Sequence, residues 1–171
     1  VDVSERKMKI LLLAQSPHPD VAAIKSVLDK SSLYETKVLF QEQTDENFSN
    51  CNLVILHQIP SSKSATLLQR IKAAEVPYLI IGGAQMNVAS FNSLGTGVTI
   101  SQPVAKMNEV YAKVSDQFGL FSLSENMQNV LSQLPPLFVP FGNYKVEKEV
   151  TPLLTQRIGN IQSSMPLWYF S

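Results

Sequence analysis

Apolar runs and amphipathic segments alternate along the first half of the chain. Four segments of strand length occupy residues 7–15, 36–41, 52–58 and 77–83, and the first and third of them are apolar throughout except at their flanks. Segments with apolar residues at helical spacing follow the first, third and fourth of these, at 19–30, 63–75 and 85–94. Strands that are apolar throughout are typical of a parallel sheet buried on both faces. The first 95 residues therefore predict an α/β fold with right-handed crossovers.

The pattern changes after residue 95. Short segments of strand character are predicted at 97–102, 108–115, 144–151, 153–159 and 166–170, and the Pro-rich stretch 135–144 is predicted as a loop. One amphipathic helix is predicted over 122–134, with an apolar face of Met127, Val130, Leu131 and Leu134. We expect a three-layer α/β fold with a mainly parallel sheet and antiparallel additions in the C-terminal half, in a single domain, 1–171.

Two serine motifs predict where helices begin. Ser122 and Glu125 have the spacing of a capping box, which would start the helix over 122–134. Ser61 or Ser62 is expected to cap the helix over 63–75.

Composition and charge exclude several classes of function. Fourteen basic residues balance fourteen acidic ones without a basic stripe, so we expect no nucleic-acid partner. The single cysteine, Cys51, excludes an internal disulfide and any zinc site built from several cysteines. No apolar run approaches the roughly 18 residues needed to cross a bilayer, so we expect no membrane insertion by this segment.

The stretch "AQSPHPDVAA" (14–23) raises the first question of chemistry. If the first four strands lie in the order 2-1-3-4, His18 and His57 share the carboxyl edge of neighbouring strands, where ligands bind in such sheets. Gln15, Gln58 and Gln85 are expected on the same edge. This edge is our predicted ligand site. Its members are Gln15, His18, His57, Gln58, Gly83, Ala84 and Gln85.

The same stretch has a purely structural interpretation, which we favour. Ser16 or His18 would precede a helix, Pro19 suits its first position, and Asp20 favours its positive end. We therefore expect no metal and no cofactor.

"ILLLAQSPHPD" also resembles the signature of zinc-dependent N-acetylglucosaminyl deacetylases, a strand followed by Pro-His-Pro-Asp-Asp-Glu. The resemblance implies His18 as a zinc ligand and Asp20 as general base. It fails at Val21, where that family has a second zinc-binding Asp, and no histidine follows His57 to complete the set.

"LIIGGAQMN" (79–87), together with "NLVILHQIPS" (52–61), resembles the class I glutamine amidotransferases. Their strand runs into a Gly-x-Cys-x-Gly turn that carries the nucleophile. Here Gly82 matches the first Gly, but Ala84 replaces Cys and Met86 replaces the second Gly. The resemblance implies a flavodoxin-like topology over residues 7–95. Glutaminase chemistry is excluded, because the late catalytic His is also absent and Cys51 precedes the third strand.

More narrowly, "SPHPD" followed by "LVILHQIPS" is similar to amidotransferase-like domains of large, membrane-tethered bacterial proteins. That resemblance implies a domain displayed outside the cytoplasm. The chain begins "VDVSERK" without Met and ends inside a predicted strand, so we expect a piece of a longer protein.

Together these observations favour a non-catalytic module that binds a small molecule at the strand edge, or a protein partner or other domains of its own chain. The alternative is a deacetylase- or esterase-like hydrolase in which His18, Asp20 and His57 hold a metal or an activated water.

Overall fold

A computed structural model of the chain describes residues 7–40 and 44–171. The chain divides into two compact units, Val1–Ser90 and Phe91–Ser171. The single domain over 1–171 that the sequence pattern favours stays a prediction. None of the helices in the described ranges is both long and apolar enough to cross a membrane.

The N-terminal unit is built on a parallel four-stranded sheet. Its elements are β1 (Met8–Ala14), α1 (Pro19–Leu28), β2 (Tyr34–Leu39), β3 (Leu53–His57), α2 (Ala65–Ala73) and β4 (Tyr78–Ile81). The strand order is β2-β1-β3-β4, and all three pairings are parallel. This is the order that the predicted convergence of the two histidines required. Gln41, the last residue of the predicted second strand, lies outside the described residues.

The central strand β1 is buried on both faces, as its continuous apolar run predicted. Side chains alternate across a strand, and Ile10, Leu12 and Ala14 pack on one face with Val21 of α1. Leu13, which lies between Leu12 and Ala14 along the strand, faces the opposite side of the sheet and is fully buried as well. Removing apolar side chains from water on both sides makes β1 the centre of this core.

The start of α2 differs from the prediction. Its N-cap is Ser64 rather than Ser61 or Ser62, and the Ser64 side chain makes no cap hydrogen bond. The fully buried Ser64 Oγ instead accepts the N–H of Ser61 at 2.7 Å. The serine cluster therefore stabilises the loop before the helix.

The C-terminal unit consists of short strands and one regular helix. After the short helix α3 (Val88–Asn92), its elements are β5 (Val98–Ser101), β6 (Met107–Val114), α4 (Glu125–Ser132), β7 (Leu137–Pro140), β8 (Asn143–Val146), β9 (Thr151–Ile158) and β10 (Ile161–Phe170). Antiparallel pairing joins them in the orders β10-β9-β6-β7 and β5-β8. The predicted antiparallel additions are therefore present.

The stretch predicted as a loop, 135–144, contains β7 and the start of β8. The loop prediction was wrong because it relied on the prolines of this stretch. Pro140 is the last residue of β7, and within the described part of the chain β7 pairs with β6 alone. An edge strand tolerates a proline because it has one side that needs no ladder hydrogen bond.

Helix α4 starts later than predicted. Ser124, not Ser122, is its N-cap and accepts the N–H of Met127 at 3.2 Å. The helix is eight residues long.

The apolar face of α4 is narrower than predicted. Leu131 and Leu134 pack against the cluster formed by Ala112, Leu153 and Leu154. Met127 and Val130 are 51% and 56% exposed, so their assignment to the buried face was wrong. Helical spacing alone does not fix how wide a stripe the neighbouring sheet covers.

Candidate functional site

The loops after β1, β3 and β4 lie side by side at the carboxyl edge of the parallel sheet, because these three strands are neighbours. The hydrogen-bond ladder continues one residue past β1 and one residue past β3. The N–H of Gln15 donates to the carbonyl of His57 at 3.2 Å, and the N–H of Gln58 donates to the carbonyl of Ile81 at 2.7 Å. Both loops are thereby fixed where they leave the sheet.

His18 begins α1, as the structural interpretation predicted. Its backbone is extended, with φ −148° and ψ 146°, and its Nδ1 accepts the N–H of Asp20 at 3.2 Å. Pro19 occupies the first helical position and Asp20 the first turn. The helix start therefore aims the side chains of His18 and Asp20 at one spot.

His57 meets these two side chains from β3. Its imidazole is 2% exposed, and its Nε2 lies 3.5 Å from Oδ2 of Asp20. The same carboxylate oxygen lies 3.4 Å from Nδ1 of His18. The two imidazole rings are 4.9 Å apart, centroid to centroid, at an interplanar angle of 42°. The side chains of Asp20 and His18 are 59% and 39% exposed, so the cluster opens directly to solvent.

The separations within this cluster suit co-ligands of one metal better than direct partners. Charge-assisted hydrogen bonds are about 2.7–2.9 Å long, whereas Asp20 lies 3.4 Å and 3.5 Å from the two nitrogens. A tetrahedral zinc with bonds of about 2.0–2.1 Å holds neighbouring ligand atoms roughly 3.3 Å apart. One potential ligand atom each from His18, Asp20 and His57 lies within 4.8 Å of the others.

A second group of polar side chains borders the cluster. Gln58 has a φ of 55°, in the left-handed region that few residues other than glycine adopt. Its Oε1 accepts the N–H of Gln85 at 3.1 Å. A Cβ on Gly83 would lie 2.9 Å from Cδ of Gln58, so the missing side chain leaves room for this carboxamide. The Oε1 of Gln85 in turn accepts the hydroxyl of Ser16 at 3.4 Å.

The turn after β4 does not have the geometry of a nucleophile elbow. In such an elbow the nucleophile stands on a strained turn directly between strand and helix. Ala84 is exposed and, among the described residues, does not belong to the non-glycine residues with positive φ. Helix α3 starts at Val88 rather than at the predicted Gln85, seven residues after Ile81 ends β4.

The structure brings most of the predicted site residues into contact. His18, Asp20 and His57 form one group, and Gln58, Gly83 and Gln85 form the next. Gln15 is fixed through its backbone. Its side-chain oxygen is buried without a hydrogen-bond partner among the described residues.

Ser16 is predicted from the sequence only as a residue before the helix, and its hydroxyl contact with Gln85 was not predicted. Its position in the loop after β1, two residues before His18, was the signal available.

Comparison of the sequence with protein-family models and with curated proteins finds no match.

Proposed function

We propose that the N-terminal unit is a ligand-binding module that holds a divalent metal ion of the zinc class with His18, Asp20 and His57. The observation that carries this proposal is the position of Asp20 Oδ2, 3.4 Å from one imidazole nitrogen and 3.5 Å from the other. Two imidazoles and one carboxylate are a ligand set that zinc accepts, with a further position open to a small molecule.

The cluster needs little rearrangement to bind a metal. No two of the three potential ligand atoms are more than 4.8 Å apart. Reaching the spacing of about 3.3 Å found around a tetrahedral zinc therefore moves one ligand atom by about 1.5 Å. His57 is held in the core, whereas the His18 side chain is 39% exposed. We expect the His18 ring to make this adjustment.

The experiment is calorimetric titration of the protein with Zn²⁺, with Mg²⁺ as the competing hard cation. We expect one zinc per chain and no displacement by equimolar Mg²⁺, because imidazole ligands disfavour magnesium. Loss of an outer-shell partner alone costs metal sites about 10–100-fold in affinity. Asp20→Asn and His18→Ala remove a direct ligand, so we expect them to lose at least as much.

Two matched variants serve as controls. Asp29→Asn removes another carboxylate of the α1 region, one that pairs with Lys25 and lies outside the cluster. Cys51→Ser removes the only thiol, which precedes β3 and whose pKa is raised above its ordinary value, first by burial and then by Glu46. Both controls should bind zinc like the wild type. Binding that survives Asp20→Asn, or that disappears in Cys51→Ser, would overturn the proposal.

We also propose that the unit is a non-catalytic relative of the class I amidotransferases with a flavodoxin-like topology. The parallel order β2-β1-β3-β4 and Ala84 at the turn after β4 support this relationship. In that case the unit serves a larger assembly anchored to a bacterial membrane and displayed outside the cytoplasm. Ala84→Cys should produce no glutaminase activity, because the chain has no histidine after His57.

A hydrolase is the second candidate function, and the exposure of the cluster favours it. A zinc with three protein ligands leaves a position for water and lowers the pKa of that water to near 7. Because the His18 and Asp20 side chains are 39% and 59% exposed, a metal held by this cluster would be accessible to water. Hydrolysis of p-nitrophenyl acetate by the zinc-loaded protein, abolished in Asp20→Asn and kept in Asp29→Asn, would support a hydrolase over a binding module.

A further inference from the structure

The two carboxamides beside the cluster are both engaged through their oxygens. Oε1 of Gln58 accepts the Gln85 N–H, and Oε1 of Gln85 accepts the Ser16 hydroxyl. A carboxamide has one acceptor oxygen and one NH₂ group with two donors. Neither NH₂ group has a hydrogen-bond partner within 7–40 and 44–171. What both side chains still offer to a ligand is therefore mainly hydrogen-bond donors, two on each NH₂ group against one remaining lone pair on each oxygen.

Both glutamines are linked to residues of the cluster, one along the chain and one through Ser16. Gln58 directly follows His57 at the end of β3, and Gln85 is bonded to Ser16, two residues before His18. Gln58 is also tightly confined, because it lies against Gly83 where a Cβ would come within 2.9 Å. A donor group held in this way loses little freedom when a ligand binds.

We propose that Gln58 and Gln85 form the second half of the ligand site and select a carboxylate. One carboxylate oxygen binds the metal, and the other accepts hydrogen bonds from the carboxamide NH₂ groups. This inference rests on the proposed metal site, which is the source of positive charge. The loops after β1 and β4 contain no lysine or arginine, and the loop after β3 contains one, Lys63, two residues before α2. One divalent metal and the Asp20 carboxylate leave a single positive charge at the cluster. A single negative charge on the ligand therefore matches the site better than a phosphate dianion.

The test uses the protein loaded with Co²⁺, whose visible spectrum reports each new ligand on the metal, and acetate as the probe. Imidazole serves as the control ligand, because it binds the metal but has no oxygen to accept the carboxamide N–H groups. A hydrogen bond to a charged group that is partly exposed is expected to contribute about five- to ten-fold in affinity. Gln58→Ala and Gln85→Ala should each weaken acetate binding by that factor and leave Co²⁺ and imidazole binding unchanged.

Gln58→Glu is the sharpest variant. Its carboxylate keeps an oxygen for the Gln85 N–H but replaces the NH₂ donor by a negative oxygen. We expect acetate to bind more weakly to it than to Gln58→Ala, because two carboxylates then face each other. Gln102→Ala is the matched control. It also replaces a glutamine of positive φ, 50°, but in the C-terminal unit.

The outcomes separate the two proposals. Failure to bind Co²⁺ would overturn the metal site and this inference with it. Normal Co²⁺ binding without any acetate binding, or with equal acetate affinity in wild type, Gln58→Ala and Gln58→Glu, would overturn this inference alone. Preference for inorganic phosphate over acetate would contradict the selection of a monoanion.

Discussion

Replacing His18 separates its role as a helix cap from its proposed role as a metal ligand. Asn is a favoured N-cap residue whose side-chain oxygen accepts the same type of backbone N–H, whereas Ala has no acceptor. Asn is also a poor zinc ligand compared with imidazole. His18→Asn should therefore keep the cap and lose the metal, and His18→Ala should lose both.

The structure limits how much the cap contributes. The side chain accepts one bond, from the Asp20 N–H at 3.2 Å. The next two helical N–H groups, of Val21 and Ala22, donate to the backbone carbonyl of His18 and survive any substitution there. The His18 side chain is also 39% exposed. We therefore expect His18→Ala to cost about 0.5–1 kcal/mol of local stability, at the low end of the range for N-caps.

Amide hydrogen exchange over α1 (Pro19–Leu28) measures the local stability of this helix. Without zinc, exchange should be about two- to five-fold faster in His18→Ala than in wild type, and unchanged in His18→Asn. With zinc at about 100 times the wild-type dissociation constant, the wild type should gain about 2.7 kcal/mol, and a variant with 100-fold lower affinity or less should gain about 0.4 kcal/mol at most. Equal protection of all three proteins with zinc present would refute the reasoning, and so would fast exchange in His18→Asn without it.

Two further predictions concern the C-terminal unit. Gly97→Ala should destabilise this unit by about 2 kcal/mol or more, because φ is +77° and the new Cβ would lie 2.5 Å from Cγ2 of Val150. Gly95→Ala is the comparison. Its φ is +66° but no atom lies within 4 Å of the new Cβ, so it should cost about 1 kcal/mol. Urea unfolding followed by the fluorescence of the single tryptophan measures both, and equal costs would contradict the steric argument. Burial raises the pKa of Tyr144 from 10.0 to about 12. The stability linked to its neutral phenol is therefore complete below pH 10 and lost as the pH rises towards about 12, a loss that Tyr144→Phe should abolish. An unchanged pH dependence in Tyr144→Phe would rule this out.

The parallel sheet could be predicted from the sequence because its signal is local and repeated. β1 and β3 are continuous apolar runs, and such runs indicate burial on both faces without any knowledge of the partner strand. The edge strand β2 contains Glu35 and Lys37 and gives a weaker signal. The C-terminal unit could not be predicted as well. Whether 137–140 pairs with β6 depends on long-range register, and its prolines favour a loop on local grounds. The exposure of Met127 and Val130 likewise depends on how much of α4 its neighbours cover.

Only those features of the candidate site that follow from the strand order could be predicted. Strand order placed the loops containing His18, His57 and Gln85 on one edge, because parallel strands end together. It could not predict that Asp20 lies between the two imidazoles, which depends on how α1 leaves β1. Nor could it predict the positive φ of Gln58, because glutamine carries no sequence signal for that conformation.

A helix start and a metal half-site are compatible in "SPHPD", and the energies show why. Ligation through Nδ1 of His18 withdraws the acceptor from the Asp20 N–H, which costs about 0.5–1 kcal/mol. Binding of zinc to a complete structural site releases about 10–16 kcal/mol at neutral pH. Even a site with far weaker affinity offsets the lost cap several times over. Ligation through Nε2 also removes the cap, because Nδ1 of the neutral ring then carries the proton and cannot accept the Asp20 N–H. The N-cap interaction of His18 therefore positions the imidazole beside Asp20 before the metal arrives and presents no obstacle to binding.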